Sequence, residues 1–269
     1  MTGAGFFERL AARTGATGSY LCVGLDPHPG RHDVRSLAAF LGEVVEATAP
    51  FAACFKPNLA FYEAYGLAGL RALERVLARV PANVPVIGDA KRGDIGSTAE
   101  AYARAAFEVW GFDAVTVSPY LGFEGVRPFL EYPERGVYVL CRTSAAGAED
   151  LQLQQLADGR RLFERVAELA AGWGPNVGLV VGATAPEEEL RAVRRAAPAA
   201  PVLVPGIGAQ GGELGPVVRS LGAQPGKLVV NVSRAILYAA AEGEDPVAAA
   251  AAAAERYRRL IAEAVESGS

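Results

Sequence analysis

A short charged stretch, DAKRGDI at positions 89–95, carries the strongest chemical signal in the sequence. It follows an apolar run typical of a buried strand, and side chains alternate along a strand, so Asp89 and Lys91 should project to the same side. A carboxylate and an ammonium at the end of a buried strand are costly unless they are paired or used. An ammonium held in this way can stabilise developing negative charge and donate a proton without a metal ion. A salt bridge that merely closes the strand is the alternative interpretation.

The elements that would position these residues are candidate strands separated by segments with helical periodicity. The strands are predicted at 20–25, 52–56, 84–89, 114–118, 137–142, 177–182, 202–205 and 228–232. Near-continuous apolar strands that alternate with helices indicate a parallel sheet covered by helices. Repeated along the chain, this pattern favours a (β/α)₈ TIM barrel over a doubly wound sheet.

We expect a single domain that spans residues 1–269. An amphipathic segment at 6–13 should form a helix that covers one end of the barrel. The alanine-rich segment at 247–266 has high helix propensity and should form a final helix. The sequence contains no linker-like stretch that would divide the chain.

A barrel predicts where the functional residues lie, because its functional groups collect at the carboxyl-terminal ends of the strands. The predicted strand ends carry the following polar residues: Asp26, Lys56, Asp89, Lys91, Ser118, Ser144 and Arg234. Any one of them could be a turn residue. Charges from different strands that converge on one rim are harder to explain as turns, so we expect a catalytic site there.

The loops after the seventh and eighth strands predict a phosphate site, because barrels often bind phosphate there through backbone N–H groups. The seventh loop reads PGIGAQGG from Pro205, and its glycines, including Gly206 and Gly208, let the backbone approach an anion closely. The eighth loop supplies Ser233 and Arg234, and the planar guanidinium suits phosphate oxygens. A plain tight turn is the alternative for the glycine-rich loop alone.

The composition narrows the class of protein. A net charge of -4 over 269 residues argues against nucleic-acid and membrane-surface partners. Three cysteines without CxxC spacing predict buried free thiols in a reducing compartment. The two histidines, His28 and His32, exclude a multi-histidine metal site, and we expect them in a surface loop, not in catalysis. No leader or membrane-spanning run is visible, so we expect a cytoplasmic protein.

Together these motifs resemble those of the orotidine 5'-monophosphate decarboxylase family, and in particular its longer bacterial branch. The matching segments are GLD at 24–26, FKPN at 55–58, DAKRGDI at 89–95, VPGIG at 204–208 and SR at 233–234. The resemblance implies a homodimeric (β/α)₈ barrel with shared active sites. It also implies decarboxylation of orotidine 5'-monophosphate to uridine 5'-monophosphate without metal or other cofactor, the last step of de novo pyrimidine nucleotide synthesis.

The resemblance further implies roles for individual residues. Lys56, Asp89, Lys91 and Asp94 would form a catalytic array of alternating lysines and aspartates. Asp94 would enter the active site of the other subunit. The substrate-binding residues would be Ile95 and Thr98 beside Asp94, Asp26 at the ribose, Ser144 at the pyrimidine edge, Pro205, and Gln210 with Arg234 at the phosphate. This chain reads TSAAG at 143–147, where the branch commonly has TSNPG.

Three alternatives compete with this interpretation. Proteins that resemble 3-keto-L-gulonate 6-phosphate decarboxylase share the Asp-x-Lys-x-x-Asp pattern but use Mg²⁺, which an acidic residue at the end of strand two helps to hold. Lys56 stands at that position here and would repel Mg²⁺. A phosphosugar isomerase would leave the charged stretch unexplained. A catalytically silent phosphate-ligand binder would be expected to lose part of the array, so the sequence favours a metal-independent decarboxylase.

Overall fold

The computed structural model describes residues 4–208 and 211–268, and a sheet of eight parallel strands forms the centre of this part of the chain. The strands are β1 (Leu21–Leu25), β2 (Cys54–Pro57), β3 (Ile87–Arg92), β4 (Ala114–Val117), β5 (Gly136–Arg142), β6 (Val177–Val181), β7 (Val202–Pro205) and β8 (Leu228–Val232). Their order is β2-β1-β8-β7-β6-β5-β4-β3. Bridges from Phe55 to Val86 and from Asn58 to Asp89 bring β2 beside β3 and close the sheet. The predicted TIM barrel is therefore confirmed.

Helices connect the strands and cover the outside of the barrel. They are α1 (Phe6–Thr17), α2 (Val34–Thr48), α3 (Leu59–Glu63), α4 (Gly66–Leu77), α5 (Gly96–Arg104), α6 (Phe123–Leu130), α7 (Ala148–Leu151), α8 (Leu162–Ala171), α9 (Glu187–Ala196), α10 (Leu214–Leu221), α11 (Arg234–Leu237) and α12 (Pro246–Ser267). A 3₁₀ turn at Ala49–Phe51 follows α2, and a π-helical turn at Ala105–Val109 follows α5. None of the helices in the described ranges is long and apolar enough to cross a membrane.

Local sequence explains where several helices begin. The side chain of Asn58 accepts a hydrogen bond from the N–H of Ala60 at the start of α3. The side chain of Asp245 does the same for two N–H groups of α12, whose first residue, Pro246, has no N–H of its own to satisfy. The alanines of α12 then favour a helix because they lose no side-chain entropy in it.

Helix α1 lies across the amino-terminal end of the barrel. The N–H of Phe6 donates to the carbonyl of Glu134, just before β5, and Arg9 forms an ion pair of 2.6 Å with Asp113, just before β4. The Phe6 ring meets Tyr138 of β5 edge to face inside the barrel. This end of the barrel is filled with apolar side chains, and the predicted functional residues that line a cavity lie at the opposite, carboxyl-terminal end.

Strand β3 departs most from the predicted boundaries, which placed it at 84–89 instead of Ile87–Arg92. Gly88 pairs with Val115 and Arg92 pairs with Val117, so residues 89–91 face one residue of β4, Thr116. Such a bulge re-aims the side chains on the longer strand. The boundaries of the other seven strands lie within two residues of the prediction.

The bulge places Lys91 in the left-handed region of backbone conformation, with φ of +48°. Among the described residues it is the only non-glycine with a positive φ. This conformation costs an L-residue about 1–2 kcal/mol, because Cβ approaches the following carbonyl oxygen. Strain of this kind is held in place by surrounding contacts and is concentrated at functional sites.

Candidate active site

A cavity of about 810 Å³ opens at the carboxyl-terminal end of the barrel. Apolar side chains of Leu140, Val180 and Leu203 line it where it meets the barrel interior. The sequence-predicted residues that line it are Asp26, Lys56, Asp89, Lys91, Ser144, Pro205, Gly206, Ser233 and Arg234. An apolar base with a few charged groups converging above it is typical of a site for a small ligand.

Asp89 joins the two lysines of the site. Its Oδ2 accepts a hydrogen bond of 2.8 Å from Lys56 Nζ, and its Oδ1 accepts one of 2.5 Å from Lys91 Nζ. The Lys56 side chain is 4% exposed, whereas that of Lys91 is 48% exposed. Lys91 is therefore the ammonium that a ligand in the cavity can reach.

The charges of the buried pair reinforce each other. Burial alone would lower the pKa of Lys56, but the carboxylates of Asp89 and Asp26 outweigh it and raise that pKa above its ordinary value. Burial would likewise raise the pKa of Asp89, but Lys56 and Lys91 outweigh it and lower that pKa. At neutral pH Asp89 is therefore a carboxylate paired with the cation of Lys56.

Contacts with neighbouring loops fix the segment that carries Asp26. The N–H of Asn58 donates to Asp26 Oδ1 at 3.2 Å. The hydroxyl of Tyr238 accepts a hydrogen bond of 2.8 Å from the N–H of His28, and the ring of His32 stacks on that of Tyr238. Both histidines lie in the loop after β1, as expected, but His28 also lines the cavity.

The loop after β5, which carries Ser144, is held by polar side chains. The N–H of Thr143 donates to Gln152 Oε1 at 2.8 Å, and Arg142 donates to Glu189 at 2.6 Å in a buried ion pair. Close packing also requires Gly182, where an added Cβ would lie 2.6 Å from the Ser144 nitrogen. These contacts define the loop even though it lacks the family's Asn-Pro pair.

The two predicted phosphate loops lie side by side, because β7 pairs with β8. Gly206 and Gly208 have φ values of +104° and +81°, which side chains rarely adopt, and Gly206 lines the cavity. Ser233 precedes α11 and its Oγ is buried with no hydrogen-bond partner among the described residues. Arg234 follows it, exposed at the cavity. Gln210, predicted to contact the phosphate, lies outside the described residues.

Asp94 and its neighbours stand apart from the array within one chain. Asp94 Oδ1 accepts a hydrogen bond of 2.8 Å from the N–H of Ile95, and neither residue lines the cavity formed by the described ranges. Thr98 in α5 and Gly208 also do not line this cavity. Ile95 is 58% exposed, so this segment presents an apolar side chain to the outside of the subunit.

Sequence reasoning assigned no role to several residues that the fold brings to the cavity, namely Thr116, Thr143, Thr184 and Asn231. Thr116 could have been found from strand alternation, because it lies two residues after buried Ala114 on β4 and on the same face. Its hydroxyl donates to Asp89 Oδ1 at 3.0 Å. In the part of the chain that the structure describes, no three His, Cys, Asp or Glu side chains are grouped to hold a metal ion.

Sequence comparison associates this architecture with one family. The profile of the "Orotidine 5'-phosphate decarboxylase / HUMPS family" matches residues 19–253. A protein of Roseiflexus sp. (strain RS-1) named "Orotidine 5'-phosphate decarboxylase" is 50% identical over 266 residues, which cover 95% of this chain and 97% of that protein. A protein of Delftia acidovorans (strain DSM 14801 / SPH-1) with the same name is 46% identical over 274 residues, covering 96% and 98%.

Comparison with solved structures indicates the same family as the sequence comparison. The structure described as "Structure of Leishmania donovani OMP decarboxylase" superposes with a TM-score of 0.86. It shares 42% sequence identity with this chain, and the match covers 97% of this chain and 99% of the other. The similarity therefore extends over nearly the whole chain.

Proposed function

The chain belongs to the orotidine 5'-phosphate decarboxylase / HUMPS family, and we propose that it converts orotidine 5'-monophosphate into uridine 5'-monophosphate and CO₂, the last step of de novo pyrimidine nucleotide synthesis. The observation that carries the proposal is the Lys56–Asp89–Lys91 array at one wall of the cavity. Relatives that match nearly the whole chain are named for this activity.

The chemistry assigns the leading role to Lys91. Loss of CO₂ from the pyrimidine leaves a carbanion at a ring carbon that no adjacent carbonyl stabilises in the usual way. The partly exposed ammonium of Lys91 stabilises this charge and then transfers a proton from Nζ to the carbon. Because the group is already aimed by Asp89, little reorganisation is needed as the charge develops.

Asp89 and Lys56 support this step. Asp89 holds Lys91 in place and lies near the departing carboxylate, where two like charges about 4 Å apart repel by roughly 4 kcal/mol at an effective dielectric of about 20. That repulsion would assist release of neutral CO₂, as a secondary contribution. Lys56 offsets the charge of Asp89 and makes its burial tolerable.

No metal or other cofactor takes part in the proposed reaction. The buried ammonium of Lys56 occupies the wall where a cation such as Mg²⁺ would have to bind, and the two charges would repel. The substrate phosphate would lie at Gly206, Ser233 and Arg234, with Gly208 and Gln210 completing the loop. Binding energy from this remote group can then be used for orientation at the reacting carbon.

We propose further roles for residues around the ring and ribose. Asp26, held by the N–H of Asn58, would accept hydrogen bonds from ribose hydroxyls. Ser144 would bind the polar edge of the pyrimidine, and Pro205 would contact the substrate beside the phosphate loop. The three free, buried cysteines support a reducing compartment, and we place the activity in the cytoplasm.

A homodimer with shared sites is the proposed assembly. Asp94, Ile95 and Thr98 would reach the partner's cavity, and Asp94 would complete the charged array there. Exposed apolar side chains at Ile95 and Tyr120, 58% and 76% exposed, support burial of this surface against a second copy. With two-fold symmetry each subunit would lend the same residues to the other.

Subunit mixing tests the shared site. Lys91→Ala and Asp94→Ala should each be nearly inactive, and mixing them under subunit exchange should give dimers with one intact site. With random exchange of equal amounts, about half the dimers are mixed and roughly a quarter of all sites are intact. Activity should rise toward that fraction of the unmodified enzyme. If mass spectrometry of intact dimers confirms exchange and no activity returns, Asp94 acts within its own subunit.

The reaction itself is tested by incubating the purified protein with orotidine 5'-monophosphate and following the ultraviolet change on conversion to uridine 5'-monophosphate. We expect turnover of this substrate and none of 3-keto-L-gulonate 6-phosphate. The opposite preference would contradict the proposal and favour the sugar-phosphate decarboxylases.

A further inference from the structure

We propose that Thr116 is a positioning residue for the reaction, whose hydroxyl holds Lys91 in its left-handed backbone conformation and orients Asp89. The inference rests on the proposed decarboxylase function and extends it to a residue on β4. Thr116 lines the cavity wall but acts through its two neighbours on β3.

The bulge in β3 creates the need for such a residue. Between the pairs Gly88–Val115 and Arg92–Val117, three residues of β3 lie opposite Thr116 alone. Two extra residues in one strand interrupt the regular ladder of backbone hydrogen bonds. The N–H of Lys91 therefore donates to a side chain, Thr116 Oγ1, at 3.0 Å.

The same hydroxyl also acts as a donor. Thr116 Oγ1 donates to Asp89 Oδ1 at 3.0 Å, and this oxygen also accepts the hydrogen bond from Lys91 Nζ. The hydroxyl oxygen of Thr116 thus links the backbone N–H of Lys91 to Asp89, and Asp89 in turn binds the ammonium group of the same lysine. Because the hydroxyl accepts from one group and donates to the other, its hydrogen has a single preferred direction.

Burial makes this link hard to replace. Thr116 is 1% exposed, so bulk water does not reach its hydroxyl. Without the hydroxyl, the N–H of Lys91 would lack this acceptor and Asp89 would lose a donor. The strained φ of Lys91 would then relax toward ordinary strand values, which would move Nζ away from its position over the cavity.

Three variants separate this role from plain structural support. Thr116→Val keeps the shape of the side chain and removes the hydroxyl, whereas Thr116→Ser keeps the hydroxyl and removes a methyl group. Thr48→Val is the matched control, because Thr48 is also fully buried and its hydroxyl donates to Val44 O within α2, outside the site. Thr116→Ala serves as a second hydroxyl-free variant if Val prevents folding, which circular dichroism would reveal.

We expect Thr116→Val to lower kcat for orotidine 5'-monophosphate by about 10- to 100-fold, since small misplacements of reacting groups have effects of that size. Its KM, and its Kd for the product uridine 5'-monophosphate, should change by less than about threefold, because the ligand contacts remain. Thr116→Ser should restore kcat to within about threefold of the unmodified protein, and Thr48→Val should leave it unchanged.

Other results would overturn the inference. An unchanged kcat in Thr116→Val, a loss expressed in KM or product binding instead of kcat, or a Ser variant as impaired as Val would show that the hydroxyl does not position Lys91. The unmodified protein is assayed in parallel. If it fails to convert orotidine 5'-monophosphate, the proposed function itself fails, which is a separate outcome.

Discussion

Replacing Asp89 with Asn should destabilise the fold, because the buried ammonium of Lys56 loses the carboxylate that compensates it. The pair has an Nζ–Oδ2 distance of 2.8 Å, and the Lys56 side chain is 4% exposed. Removing one partner of a buried ion pair typically costs about 3–5 kcal/mol. The charge of Asp26 still favours the Lys56 ammonium, so we expect the low end of this range, about 3 kcal/mol.

The pH dependence of stability should change sign in this variant. In the unmodified protein the folded-state pKa of Lys56 is raised. The contribution of Lys56 to the free energy of unfolding is therefore full below the unfolded-state pKa and is lost as pH rises through the folded-state pKa. In Asp89→Asn, burial should dominate and lower that pKa. The stability of the variant should then rise with pH, by up to about 1.4 kcal/mol per pH unit, between the lowered folded-state pKa and an unfolded lysine pKa of about 10.4.

Reversible urea unfolding at fixed protein concentration measures both effects, followed by circular dichroism and tryptophan fluorescence. The control is the double variant Asp89→Asn/Lys56→Met, which removes both charges and should regain at least about 2 kcal/mol of the loss. A loss of less than about 1 kcal/mol in the single variant, or a double variant no more stable than the single, would refute the buried-pair reasoning.

Two further predictions concern single residues of the site. Lys91→Gly should be more stable than Lys91→Ala by about 0.5–1 kcal/mol in urea unfolding, because glycine adopts the positive φ without strain, and equal stability would contradict the strained backbone. Arg234→Ala should reduce kcat/KM for orotidine 5'-monophosphate by an equivalent of about 2–5 kcal/mol while changing use of the unphosphorylated nucleoside little. An equal loss for both substrates would mean that Arg234 supports the fold and not the phosphate.

The barrel was predictable from the sequence because its signals are local and repeated. Each strand is a short apolar run between turn residues, and side-chain alternation together with the carboxyl-end rule directs Lys56, Asp89 and Lys91 to one rim. The structure brings these three side chains into direct contact. Strand boundaries followed the same local signals everywhere except at β3.

The bulge in β3 was not predictable, because it depends on how β3 pairs with β4. Nothing local in the sequence around residue 89 specifies that residues 89–91 lie opposite Thr116 alone. A threonine inside an apolar strand is also ordinary, since β-branched residues suit strands. Alternation therefore places Thr116 on the inner face of β4 but does not predict its contacts with Asp89 and Lys91. Its part in the site depends on the register between two strands, which only the folded sheet determines.

Local sequence also could not tell whether Asp94 acts in the active site of its own subunit or in that of a partner. The structure ends β3 at Arg92 and places Asp94 beside exposed Ile95, away from the cavity of its own chain as described. Whether a second subunit receives it depends on assembly, which subunit mixing measures.

We propose that the Lys56–Asp89–Lys91 array decarboxylates orotidine 5'-monophosphate without a metal ion. The most direct test is the rate of uridine 5'-monophosphate formation by protein treated with EDTA, measured with and without added Mg²⁺. We expect a metal-independent reaction to give equal rates and one CO₂ released per uridine 5'-monophosphate formed. A rate that collapses after EDTA treatment and returns with Mg²⁺ would contradict it.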